Sequence, residues 1–132
     1  MVETGHRGLK VWQRAMDTTV AVYQYTSAFP PEERYGLTSQ MRRAAESVPS
    51  NIAEGYGRGG LDYARFVSIA YGSLLELETQ TELAARFADL DAEITSDLLG
   101  LCSEVGKMLN GLRSSLTRRA VRPEPSTPTA EP

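Results

Sequence analysis

The sequence predicts an all-α fold: an antiparallel up-down-up-down four-helix bundle with a kinked second helix and a disordered C-terminal tail. Three observations predict it. Apolar residues recur at three- and four-residue spacing along four segments, the signature of one buried helical face. Short breaks rich in Gly, Pro or Asp separate these segments and favour antiparallel neighbours. No stretch alternates apolar and polar residues as a strand would.

The first segment runs from Leu9 to Phe29, with Leu9, Trp12, Met16, Thr19, Tyr23 and Thr26 on one face. Pro30 and Pro31 stop it, because neither can donate a backbone hydrogen bond and the first restricts Phe29. The second begins near Leu37 with Thr38 as its N-cap. Its stripe is Leu37, Met41, Ala44 or Ala45, Val48 and Ile52, and Pro49 inside the stripe predicts a kink. Four glycines between Gly55 and Gly60 end it.

The third segment starts near Leu61 and Asp62 and buries Tyr63, Phe66, Val67, Ala70, Leu74, Leu77, Thr81 and Ala84. It ends around Ala88–Asp91. The fourth carries Ile94, Leu98, Leu101, Val105, Met108 and Leu112, a heptad seam suited to knobs-into-holes packing. From about Thr117 the pattern stops, and a Pro-rich stretch predicts disorder. The expected division is a flexible N-terminus over 1–8, the bundle over 9–117, and a basic stub with tail over 118–132.

Leu75, Leu99, Leu101, Cys102 and Leu109 widen the apolar faces of the last two segments. Surplus apolar surface of this kind predicts self-association; the alternative is that it only widens the core. The single cysteine fits a reducing compartment, and Met1–Gly8 leads into no apolar signal region. No apolar run approaches a membrane span. A cytoplasmic location with no membrane partner is expected.

Net charge is −3, but its distribution is uneven. Val67–Gly106 holds eight acids against Arg86 alone, whereas Lys107–Arg122 holds five cations and no acid. The C-terminal segment is a local basic patch on an acidic chain.

The inventory speaks against catalysis and metal binding. His6 is the only histidine, and it sits in the N-terminus expected to be flexible. Cys102 has no partner cysteine and occupies a packing position, so no cofactor, metal site or small-molecule substrate is expected. Gly55, Gly57 and Gly60 satisfy G-x-G-x-x-G, but a helix precedes the run where the dinucleotide fingerprint needs a strand. The run reads as a helix–helix corner, with anion binding beside Arg58 as the alternative.

Two roles are open to the arginines. Arg43 can pair with Glu54 or Glu76, leaving Arg42 exposed, which makes these three residues structural ion-pair candidates. Alternatively, Arg42, Arg58 and Arg65, together with Lys107, Arg113, Arg118, Arg119 and Arg122, form a phosphate-tracking surface.

The stretch from Phe29 to Arg58, with its Asn51-Ile-Ala-Glu-Gly55 run, the block Phe66–Gln80 with Gly72, Ser73 and Glu76, and the opening Leu9-Lys-Val-Trp12 together carry a resemblance. Over residues 9–116 the chain resembles the bacterial four-helix-bundle proteins encoded in intervening sequences of 23S rRNA genes. That family is similar to the accessory variability determinant of diversity-generating retroelements, a basic bundle that binds RNA and a reverse transcriptase. The resemblance implies a ring-like homopentamer. It also implies RNA or a reverse-transcriptase-like protein as partner, although this chain is acidic where the accessory determinant is basic.

The expected function is therefore a non-enzymatic, homo-oligomeric scaffold that contacts RNA or an RNA-handling protein. The alternative is a purely protein-binding or structural oligomer with no nucleic-acid role.

Overall fold

Four helices carry the chain: α1 (Lys10–Thr26), α2 (Leu37–Arg58), α3 (Gly60–Phe87) and α4 (Ala92–Val121). Short 3-10 turns at Gly5–Gly8 and Pro31–Glu33 precede α1 and α2. The computed structural model describes residues 4–33, 36–87 and 89–121. No strand occurs among them.

Side-chain pairs fix the topology. Arg42 on α2 donates to Thr26 on α1, and Ser47 on α2 meets Ser73 on α3. Arg113 on α4 lies over the Tyr71 ring on α3, while Tyr25 and Arg14 on α1 reach Thr95 and Glu104 on α4. Arg42–Thr26 and Tyr25–Thr95 join the start of one helix to the end of its neighbour. Arg113 in the second half of α4 meets Tyr71 in the first half of α3, and Gly55 late in α2 lies against Phe66 early in α3, so all four seams are antiparallel. α1 and α3 stand diagonally across the bundle, as do α2 and α4.

The helix limits follow from local chemistry. α2 has no side-chain cap from Thr38, which is buried; instead the Leu37 N–H reaches the Glu33 carboxylate at 3.4 Å. α2 continues through Gly55 and Gly57 and turns at Gly59 and Gly60, the last two glycines of the run expected to end it, where φ is +69° and +57°. Such values suit glycine because it lacks a Cβ. At the start of α4 the Asp91 carboxylate accepts from the backbone N–H groups of Glu93 and Ile94. α4 runs on to Val121, so Arg118 and Arg119 lie in its last turn and not in a stub. The Pro-rich tail lies outside the described residues.

The expected α3 face is buried from Val67 onward, at Val67, Ala70, Leu74, Leu77, Thr81 and Ala84, whereas Tyr63 and Phe66 at its start are only partly buried. Two faces differ. On α1 the buried residues are Val11, Ala15, Thr18, Val22, Tyr25 and Thr26, while Met16 and Tyr23 are exposed. On α4, Thr95, Leu98, Cys102, Val105, Leu109 and Leu116 are buried, and Ile94 is exposed. Cys102 and Leu109 therefore widen the core, whereas Leu75 remains on the surface. The N-terminus is ordered from Thr4: Gly5–Gly8 forms a 3-10 turn packed on α2, and His6 meets Trp12 edge-on at 5.1 Å. No described helix is long and apolar enough to cross a membrane.

Candidate nucleic-acid interface

Antiparallel packing gathers the start of α1, the α2–α3 corner and the end of α4 at one end of the bundle. Over residues 5–14, 54–65 and 107–119, nine cations stand against two acids. At the opposite end, over residues 20–33, 36–43, 78–87 and 89–98, eight acids stand against three cations. A chain of modest net charge is thus polarised along the bundle axis.

Aromatic rings are interleaved with the cations at the basic end. The Arg58 and Arg65 guanidiniums lie over the Phe66 ring at 5.0 and 5.6 Å. Tyr56 meets Tyr63 edge-on at 5.8 Å. Burial raises the Tyr63 hydroxyl above its ordinary pKa, with Tyr56 adding to the shift and nearby Arg119 opposing it. One turn further along, Arg113 covers Tyr71 at 4.5 Å and donates to Asn110. Stacked this way, guanidiniums keep their charge toward solvent while their stems cover apolar surface. The end combines fixed positive charge with ring faces, the pairing that tracks a phosphate backbone and stacks unpaired bases.

Not every arginine of the expected surface joins it. Arg42 is half-buried near the other end, over the Tyr23 ring at 4.3 Å and bonded to Thr26. Lys107 lies along the α3–α4 groove beside Tyr71 and Asn110. Arg122 lies outside the described residues. Arg58, Arg65, Arg113, Arg118 and Arg119 remain as the cluster. The aromatic companions were missed by the charge pattern, although Phe66 directly follows Arg65 in the sequence.

The ion-pair candidates also resolve differently. Glu54 pairs with Arg58 at 3.0 Å, and Arg58 also reaches Asp62 at 3.6 Å, so the Gly-rich run is a corner whose arginine serves two acids. Arg43, and not Arg42, is the exposed member of the pair. It shares a shallow polar groove with Gln40, Ser47, Ser73 and Glu76, but among the described residues it forms no ion pair with either acid. Around this groove the Ser47–Ser73 contact at 2.8 Å crosses the α2–α3 seam, and Asn51, also on α2, donates to the Ser47 carbonyl and hydroxyl.

Elsewhere the chemistry is quiet. Burial pushes the Cys102 thiol up to about 12, with Glu78 adding to the effect, so it is not a nucleophile at neutral pH. No group of three or more potential ligands is placed to hold a metal among the described residues.

Compared with known proteins, residues 7–111 match the family described as 23S rRNA-intervening sequence protein. No curated protein matches the chain.

Proposed function

The chain belongs to the 23S rRNA-intervening sequence protein family, and from that premise we propose that it is a non-enzymatic, homo-oligomeric scaffold whose basic end contacts RNA. The carrying observation is the convergence of Arg58, Arg65, Arg113, Arg118 and Arg119 with Tyr56, Tyr63, Phe66 and Tyr71 at one end of the bundle.

Self-association draws support from the exposed apolar residues. Met16, Val20 and Tyr23 form an outward stripe on α1, and Leu61, Ile69, Leu75 and Leu83 lie outward on α3. These helices are diagonal, so the two stripes face different ways. Two unlike patches favour a head-to-tail contact, which closes into a ring when its rotation permits. A pentamer, as the family resemblance implies, is such a ring, and it repeats the basic end fivefold and makes weak sites collectively useful.

The competing reading is a structural oligomer with no nucleic-acid role. It draws on Asp62, which lies 3.6 Å from Arg58 and 3.3 Å from Arg65 and so partly neutralises the cluster. Anisotropy of labelled structured RNA and matched duplex DNA, titrated with the full chain at two salt concentrations, separates the readings. Preferential RNA binding that weakens steeply with salt supports the scaffold. Absence of binding at low salt refutes it.

A further inference from the structure

The seam between α1 and α4 stays open at the acidic end. Ala21, Gln24 and Tyr25 of α1, with Ala28 just beyond its end, face Ile94, Leu98 and Leu101 of α4 across a hollow of about 480 Å³. A second hollow of about 290 Å³ continues beneath Phe29, Pro30 and Leu37 and shares Ala28, Asp89 and Leu90 with the first. Ile94 is 52% exposed at the mouth. From Asp91 to Leu101 the trough follows α4 for about 15 Å, nearly three turns. That length and apolar lining suit a helix laid in a groove through anchors at i, i+4 and i+7. A compact ligand would leave one hollow empty.

Charge narrows the occupant. Asp89, Asp91 and Asp97 line the first hollow and Glu33 the second, and among the described residues no cation lines either. Asp91 is committed to capping α4, whereas Asp89 and Asp97 form no ion pair among the described residues. Carboxylates around an apolar trough favour an apolar face flanked by Lys or Arg and repel an acidic one. We propose that this trough docks a basic amphipathic helix of a partner protein.

The test uses the full chain and two labelled synthetic amphipathic peptides of about five turns. Both carry the same Leu anchors; one is flanked by Lys and Arg, the other by Glu. The basic peptide should bind at least about tenfold more tightly. Ala28→Trp, which fills the hollow, and the pair Asp89→Lys with Asp97→Lys should each weaken it about tenfold, and the reversed rim should accept the acidic peptide. All three positions are exposed, and an unchanged urea midpoint confirms that the variants fold. Equal binding of the two peptides, no binding of either, or indifference to Ala28→Trp would overturn the proposal. So would loss of the oligomer in Ala28→Trp, since the trough would then be a contact between copies.

Discussion

The Thr19 hydroxyl on α1 lies 3.1 Å from the Ala45 carbonyl on α2, the acceptor that Pro49 leaves without its helical donor. The same hydroxyl also lies 2.8 Å from the Ala15 carbonyl, so one proton is shared between two acceptors. A buried proline inside α2 thereby becomes a link between helices, because the freed carbonyl is served from the neighbour.

Thr19→Val removes that donor with little change of shape and should cost about 0.5–1.5 kcal/mol. Pro49→Ala restores the N–H of residue 49 and so supplies Ala45 from within α2. In that background the Thr19→Val cost should shrink, a coupling read from urea unfolding of both single variants and the double. Strict additivity would contradict the link.

Gly55 and Gly57 lie two residues apart in α2 and should respond in opposite ways. A Cβ at Gly55 would meet the Phe66 Cβ at 2.8 Å and the Tyr63 carbonyl at 3.2 Å, both on α3. Gly55→Ala should therefore destabilise by about 1–3 kcal/mol through overpacking. Gly57 has open space around it, and Gly57→Ala should stabilise by about 0.5–1 kcal/mol through helix propensity. Equal effects in urea unfolding would show that the α2–α3 approach is looser than this.

Arg14 bridges Asp17 and Glu104, and its bonds to Glu104 at 2.7 and 3.1 Å join α1 to α4. Hydrogen bonding to Arg14 holds the Glu104 carboxyl below its usual range, against the opposing effect of desolvation. A carboxylate depressed in the folded state contributes stability above its unfolded pKa and loses it as pH falls through the folded value. The stability difference between the native chain and Glu104→Gln should therefore be present at pH 7 and vanish in strong acid. Urea midpoints across that range check it. Both partners are partly exposed, so high salt should also shrink the difference.

Cys102 is fully buried in α4, and its raised pKa leaves almost no thiolate at pH 8. An aromatic disulfide reagent should label it only as fast as the bundle opens, with the rate rising steeply through the unfolding transition. Rapid labelling in native buffer would place the thiol outside the core.

Much of this fold is legible in the sequence, and the exceptions have physical causes. α3 reads correctly from Val67 to Ala84 because its helical-period stripe is the buried one, although Leu61, Ile69, Leu75 and Leu83 lie outside it on the surface. On α1 the large residues and the core face separate: small Ala15 and Thr18 face the core, while bulky Met16 and Tyr23 face outward. On α4 two heptad seams share Leu98, Val105 and Leu112, and Cys102 and Leu109 decide in favour of the one whose residues are the more buried. The Gly-rich run ends α2 as its composition predicts, but only Gly59 and Gly60 make the turn; Gly55 lies within the helix and lets α3 approach.

At the basic end, the sequence shows the arginines but not their gathering. That depends on the antiparallel return of α4 past the α2–α3 corner. The Arg14–Glu104 pair joins residues 90 apart and has no local signal. Nothing local in the sequence shows that Arg42 is held between Tyr23 and Thr26 of α1, since both contacts cross the α1–α2 seam.

The most direct test of the account compares two double variants with the same change in net charge. Arg118→Gln with Arg119→Gln acts at the basic end, and Arg43→Gln with Arg86→Gln acts away from it; all four side chains are exposed. RNA affinity of each variant is measured by anisotropy across a salt series. The account predicts that the basic-end pair loses about tenfold or more in affinity and flattens the salt slope, while the other pair stays near the native chain. Equal losses in the two variants, or no loss in either, would contradict the assignment of RNA contact to that end.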